Sequence, residues 1–384
     1  MNDFMTFIDG LDVPVIFWTI SSIFVFLFCV LSAGVLIPQI LLISFQRKLF
    51  DVPDERKIHQ GVVPRLGGIA FKPVVFLSVA LLIGVSLLLG YGDMLGELIS
   101  EGRALSFGFC CIMVLYLVGI ADDLIGIRYS AKFVVQIACG LMVIVGGLWM
   151  NDLHGLFFIH GLPCWIGWPL TVLAVVFIIN AINLIDGIDG LASGLCGVAM
   201  LFYGIIFLTA HQYIYAVLAF ATLGVLVPFF YYNVFGDVKR GKKIFMGDTG
   251  SLTIGMMLCI LSLKLLHSFP DGFPSDHPNI LILAYSPLII PCFDVVRVYL
   301  HRMRNGKNPF LPDKNHIHHK LLAVGMRQRA AMITIVSVSV LFTLCNILLS
   351  CHVDVTVLLL ADITVWTAAN IWLTRRISSI NKKL

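Results

Sequence analysis

Asn180, Asn183, Asp186 and Asp189 stand three residues apart between two long apolar runs, with Gly187, Gly190 and Gly194 among them. On a helix this spacing puts neighbours on one slowly drifting face. Two amides and two carboxylates beside hydrocarbon are costly unless they have partners, which makes them a candidate functional site. The glycines let a ligand come close to the backbone. The plainer reading is a polar helix end that only caps and turns.

Other stretches carry similar groups. Asp122 and Asp123 are adjacent, followed by Lys132 and Gln136. Paired carboxylates at a helix end can hold Mg2+ or act as a base, and Lys132 can neutralise them or grip a phosphate. A solvated acidic loop is the alternative. Asp248 stands among Gly247, Thr249, Gly250 and Ser251, where it suits a hard metal with phosphate oxygens, or equally a helix N-cap. Asp294, Arg297 and Arg302 precede His316, His318, His319 and Lys320. Three His within four residues suggest a metal, yet a catalytic zinc wants three well-spaced ligands. With so many Arg and Lys nearby, anion binding and proton handling is the better reading. Asp294 and Arg297 can also simply pair, three residues apart on a helix. Near the N-terminus, Arg56, Lys57, His59 and Arg65 lead into Gly67 and Gly68, where free backbone N–H groups could meet an anion. An ordinary basic loop explains them as well. Lys239, Arg240, Lys242 and Lys243 read as a topological or lipid-headgroup cluster rather than a catalytic one.

The elements that must position these groups are membrane helices. The chain of 384 residues is 59% hydrophobic and 12% charged, against roughly 25% charged in a soluble domain, and its mean hydropathy is +0.96. Apolar runs predict eleven spans, near 15–45, 67–90, 104–121, 131–149, 167–185, 190–209, 213–232, 250–267, 279–300, 330–350 and 353–373. The first is longer than one bilayer needs and is expected to tilt or to break near Pro38. The expected class is therefore an all-α polytopic integral membrane protein. It forms one transmembrane catalytic domain over 1–384, with the motif-bearing body at 51–320 and two C-terminal helices plus a basic tail at 330–384. With loops numbered alternately, all 26 Lys and Arg except Arg103 and Lys264 fall on one side. That side is cytoplasmic by the positive-inside rule, giving N-out and C-in, and the polar motifs fall on it too. The first residues carry Asp3, Asp9 and Asp12 and no basic cluster, so a cleaved signal peptide is not expected. The ten Cys are scattered in apolar runs and read as core residues. Asp362 sits alone in the last run and is expected to pair with a Ser or Thr of a neighbouring helix.

Taken together and in order, these stretches resemble the polyprenyl-phosphate N-acetylhexosamine-1-phosphate transferase superfamily (glycosyltransferase family 4) from about Asp51 to Lys320. The pattern D-x-P-x-x-R-K-x-H…P-R-x-G-G at 51–68, the D-D-x-x-G form at 122–126 and H-I-H-H at 316–319 resemble its WecA/TagO-type branch. Gly126 and Ile317 depart from the MraY-type pattern, which uses UDP-MurNAc-pentapeptide. The resemblance implies transfer of a sugar 1-phosphate, GlcNAc-1-phosphate by default, from a UDP-sugar to undecaprenyl phosphate, with release of UMP. It also implies Mg2+, with Mn2+ as the alternative ion, and residence in a bacterial inner membrane. Asp248 and Asn183 resemble the metal ligands. Asp122 resembles the base proposed for the lipid phosphate, Asp123 its acidic partner, and Lys132 a phosphate-contacting Lys. Asp186 and Asp189 match nucleotide-site positions, Asn233 a uracil-side Asn, and His316, His318 and His319 the phosphate-binding motif. Asn180 is expected just behind them, with Lys57, His59, Arg65 and Arg302 supplying positive charge to the substrates. The implied partners are the UDP-sugar, undecaprenyl phosphate and the bilayer, not nucleic acid; oligomeric state stays open, a homodimer included. A polytopic transporter is the rival from another class, but no internal repeat is visible and the polar groups cluster at one face.

Overall fold

The structure, a computed structural model, describes residues 13–49, 63–267, 278–306 and 315–381. Among them regular structure is helical throughout, with no strand. A bilayer imposes this: backbone N–H and C=O groups find no water there and must pair within each segment. The helices are α1 (Val13–Arg47), α2 (Phe71–Leu88, led in by a 3-10 turn at Gly67–Ala70), α3 (Gly96–Ser100), α4 (Gly102–Ile125) and α5 (Tyr129–Val145). Then come α6 (Cys164–Ile185), α7 (Leu191–Thr209), α8 (Tyr213–Phe235), α9 (Gly247–His267) and α10 (Ile280–Tyr285). The last are α11 (Ile289–Arg304, joined to α10 by a 3-10 turn), α12 (Ile317–Ala323), α13 (Gln328–Leu349) and α14 (Val355–Asn381).

Among the described residues, ten segments are long and apolar enough to cross a membrane. The eleventh expected span is α5, whose 17 residues reach only about 25 Å. Each predicted span therefore corresponds to a helix or to the joined pair α10–α11. One detail differs: α1 runs unbroken through Pro38. Between α6 and α7 the chain breaks at 186–190, where Asp186 has left the helical backbone region.

Helix α9 is the axis of the bundle. Every residue from Thr249 to Leu266 is buried, with α4 and α6 packed against it. Glycine permits the closest of these approaches. A side chain at Gly119 of α4 would put its Cβ 2.7 Å from the backbone nitrogen of Thr249, and one at Gly68 would put it 2.9 Å from the Met246 carbonyl. The segment before α9 is tied to the end of the first loop. Phe245 N–H donates to Pro64 O at 2.8 Å, and Gly67 and Gly68 donate to Phe245 O and Met246 O at 3.0 Å each. At its other end α9 is held by Lys264, which is buried and 2.6 Å from Glu101. Tyr215 also donates to Glu101, at 2.8 Å. These contacts set the depth of α9, and with it the depth of Asp248 at its first turn.

The lone acid of the last span has partners of another kind than expected. Asp362 accepts from Asn346 of α13 at 2.8 Å and from Tyr285 of α10 at 3.3 Å. An amide and a phenol satisfy it, rather than Ser or Thr, and they dock α14 onto the bundle.

Candidate active site

The site lies where the ends of α4, α5, α6 and α9 meet. Lys132 of α5 donates to Asp248 at 2.7 Å and to Asp122 at 3.2 Å, so one ammonium bridges two carboxylates from different helices. Asp122 also accepts from the Ile127 N–H at 2.7 Å, which closes α4 into a turn. Asn183 of α6 donates through Nδ2 to Ser251 of α9 at 2.8 Å. Asp122 and Asp248, 126 positions apart in sequence, are thereby gathered around one charge.

Asp123 does different work from its neighbour. Its carboxylate accepts from Asp248 N–H (2.8 Å), Thr249 N–H (2.9 Å) and Thr249 Oγ (2.6 Å). It caps α9 from outside that helix, satisfying donors that a helix N-terminus otherwise leaves orphaned. Asp123 thus serves as a cap for α9. The cap expected of Asp248 is thus supplied by Asp123, and the Asp248 side chain is left for the site.

The break between α6 and α7 is clasped to the segment before α9. Asn233 accepts from Gly190 N–H at 2.6 Å and donates to Ile244 O at 2.8 Å, and is buried. Both ends of its amide serve the backbone, so Asn233 acts as a structural clasp between the two segments. One residue away the link is repeated by an ion pair between Lys243 and Asp189. Lys243 is buried, so this member of the basic cluster belongs to the site and not to the lipid surface. Asn180 stands behind, donating to Gln136 at 2.6 Å and to Val176 O at 2.7 Å. It supports α5 against α6. Sequence reasoning read Lys243 as topological or lipid-binding and gave Gln136 and Ser251 no separate role in the site. The short distance of Lys243 from the G-D pair was the available signal for the first.

Asp186 itself is half-buried at the turn. Burial, with Asp189, Asp248 and Asp123 nearby, pushes its carboxyl up to about 7, against the opposing pull of Arg65. Arg65 is exposed; Lys57 and His59 lie outside the described residues. Next to Asp186, His318 covers Gly187, where a Cβ would come within 2.5 Å of the ring Cε1. His318 is buried with no hydrogen-bond partner on either ring nitrogen. Burial, aided by His319 and His316, pushes it down to about 3. His316 stacks on it at 5.7 Å, and His319 adjoins it at 4.2 Å. Arg302 is buried near the end of α11.

Asp186 and His318 link stability to pH with opposite signs. A carboxyl raised from its ordinary value binds more protons folded than unfolded, so its contribution is lost as pH rises toward 7. A histidine lowered to about 3 binds fewer, so its contribution is lost as pH falls below about 6.5. Between pH 5 and 6.5 the two slopes oppose, each at most about 1.4 kcal/mol per pH unit. The Asp186→Asn protein, free of metal and substrate in detergent, is expected to lose thermal stability on acidification through that window more steeply than the parent chain. An unchanged difference between the two melting curves would show that Asp186 titrates normally.

The donor set suits Mg2+. Among the described residues, no group of three or more His, Cys, Asp or Glu converges to hold a metal alone. Mg2+ does not need one, since it binds through one or two carboxylates and completes its shell with water and substrate phosphate. The place between Asp122 and Asp248 already attracts a cation, the Lys132 ammonium. Asp248, Asp122 and the Asn183 carbonyl offer hard oxygens there.

Known proteins resemble this one. Residues 105–266, which span α4 to α9, match the model of glycosyl transferase family 4. A probable undecaprenyl-phosphate N-acetylglucosaminyl 1-phosphate transferase of Bacillus subtilis (strain 168) is 32% identical over 333 residues, 86% of this chain and 85% of that protein. The undecaprenyl-phosphate alpha-N-acetylglucosaminyl 1-phosphate transferase of Escherichia coli (strain K12) is 31% identical over 294 residues, 75% of this chain and 72% of that protein. The protein of the same description from Yersinia pestis is 29% identical over 309 residues, covering 78% and 76%.

Proposed function

This chain belongs to glycosyl transferase family 4, and we propose that it transfers GlcNAc-1-phosphate from UDP-GlcNAc to undecaprenyl phosphate, releasing UMP. The observation that carries the reading is the Lys132 ammonium bridging Asp122 and Asp248 beside Asn183. Phosphoryl transfer asks a protein mainly for positioning and for compensation of charge, and this arrangement offers both at one helix terminus. In the reaction a phosphate oxygen of the lipid forms a bond to the sugar-bearing phosphorus of the donor. The bond from that phosphorus to the UMP oxygen breaks, and UMP leaves with the electron pair. The lipid phosphate is largely ionised near neutral pH, its second pKa being about 6, so direct attack needs little help from a base. Asp122 then orients Lys132, and Lys132 steadies the phosphate. Asp186 and Asp189 line the donor side, with Asp189 held in place by Lys243. Asp248, Asn183 and Asp122 would hold Mg2+, which would supply positive charge to the phosphates and to the transition state.

The basic residues favour an orientation with this end of the bundle in the cytoplasm of a bacterium, where nucleotide sugars are made, and the chain in its cytoplasmic membrane. The lipid tail then stays in the bilayer, among the exposed apolar side chains of the spans. The test is direct. Purified protein receives undecaprenyl phosphate, Mg2+ and a panel of UDP-sugars, and the lipids are read by mass spectrometry. The expected product is undecaprenyl-diphosphate-GlcNAc with one UMP per lipid. A product from UDP-MurNAc-pentapeptide alone, or none with any donor, would overturn the reading.

A further inference from the structure

Asp294 is fully enclosed in α11, in a span otherwise apolar at that level. Three donors converge on it. His316 donates through Nδ1 at 2.8 Å, the Ile317 N–H at 3.0 Å and Arg297 at 2.8 Å. Arg297 also donates to the Asn315 carbonyl. Every one of these bonds either seats the 315–317 segment or braces the carboxylate that does so. Apolar side chains of similar volume would serve stability at least as well as such a buried ionic cluster. A carboxylate here is better explained by what it does to His316.

An ionised carboxylate only accepts hydrogen bonds, so the nitrogen facing it must carry a proton. That commits Nδ1 of His316 to Asp294 and leaves Nε2 as the ring nitrogen for a ligand. A second carboxylate behind an imidazole fixes ring orientation and tautomer, and balances the positive charge when the ring is protonated. His318 gives the contrast within the same cluster. Its ring lies parallel to that of His316, at an interplanar angle of 2°, yet neither of its nitrogens has a partner. Only one ring of the stacked pair is held by a carboxylate.

We propose that Asp294 is a positioning residue for the transfer reaction: it holds His316 through Nδ1 so that Nε2 is presented to a phosphate oxygen of the nucleotide-sugar donor. The inference rests on the function proposed above. In that role Arg297 keeps Asp294 ionised and in place, and Asp294 acts on substrate only through His316.

A double-mutant cycle tests it. Asp294→Asn, His316→Gln and the double variant are compared for kcat and KM with UDP-GlcNAc. Asp294→Asn is expected to raise KM, with kcat/KM falling about 30-fold, while in the His316→Gln background it costs less than about 3-fold. An equal loss in both backgrounds, or a loss confined to yield and melting temperature, overturns the proposal. If Asp294→Asn does not fold, the parent protein still decides. Its histidines are labelled with 15N, and the His316 ring is assigned by subtraction of the His316→Gln spectrum. A proton on Nδ1 supports the proposal, and a proton on Nε2 alone overturns it. Should the parent chain make no lipid-linked sugar, the proposed function fails, while the ring spectrum still reports on Asp294 separately.

Discussion

Asp248→Asn stops UMP release and leaves the protein folded. The loss is expected to be at least about 10^3-fold in kcat, about 4 kcal/mol of transition-state stabilisation, on the scale of removing a preorganised charge from a closed site. The fold survives because the α9 cap does not depend on this side chain: Asp123 supplies it, accepting from the backbone of residues 248 and 249. Asn has nearly the volume of Asp and can still accept from Lys132. What it lacks is the charge that, with Asp122, gives the Lys132 site its pull on a cation. The check is initial-rate UMP release across a Mg2+ titration, beside a melting curve in detergent. Near-parental rates would remove Asp248 from the metal site. Asp123→Asn makes the useful contrast, since the amide cannot accept through both ends at once. It is expected to lower the melting temperature as well as the rate.

Gly119→Ala is expected to cost about 3 kcal/mol, the upper end for overpacking a core, and to take activity with it. The added methyl would meet the backbone of Thr249, with the nitrogen 2.7 Å away. Backbone cannot turn aside as a long side chain can, so α4 and α9 must part. Parting them also separates Asp123 from the α9 N-terminus and Asp122 from Lys132 and Asp248. Gly84→Ala is the control: nothing lies within 4 Å of its added Cβ, and Ala favours a helix over Gly by about 1 kcal/mol. Thermal melts of both variants, with activity at matched protein concentration, decide the matter. A Gly119→Ala protein as stable as Gly84→Ala would mean that the two helices do not approach so closely.

Much of this site could be read from the chain alone, and the division between what could and could not is physical. The apolar runs delimit the spans because a bilayer demands a fixed length of apolar helix and leaves no other way to satisfy the backbone. The candidate residues were conspicuous because acids and amides next to hydrocarbon are rare and costly. These are local properties, present in any window of about twenty residues. Which acid does which job is not local. Asp122 and Asp123 are neighbours with the same side chain, yet one faces Lys132 and the other caps α9. A rotation of about 100° between adjacent helical residues sends them to different partners. The partners of Asn233 and Lys243 are non-local for a similar reason. The amide is consumed by two backbone groups brought together from the 190 and 244 regions, and the lysine finds Asp189 across the same gap. His316 and His318, two residues apart in one motif, differ because only one of them meets Asp294.

By itself, then, the sequence determined the membrane class, the places of the apolar helices, and the residues from which the candidate site is drawn. Only the tertiary structure decided how those residues divide into ligand, cap, clasp and support. Hydrophobic patterning is a one-dimensional signal that each segment carries alone. A carboxylate's role depends on which donors lie within about 3 Å of it, and for Asp122, Asp123, Asp248 and Asp294 those donors come from other segments or from the particular face each residue presents.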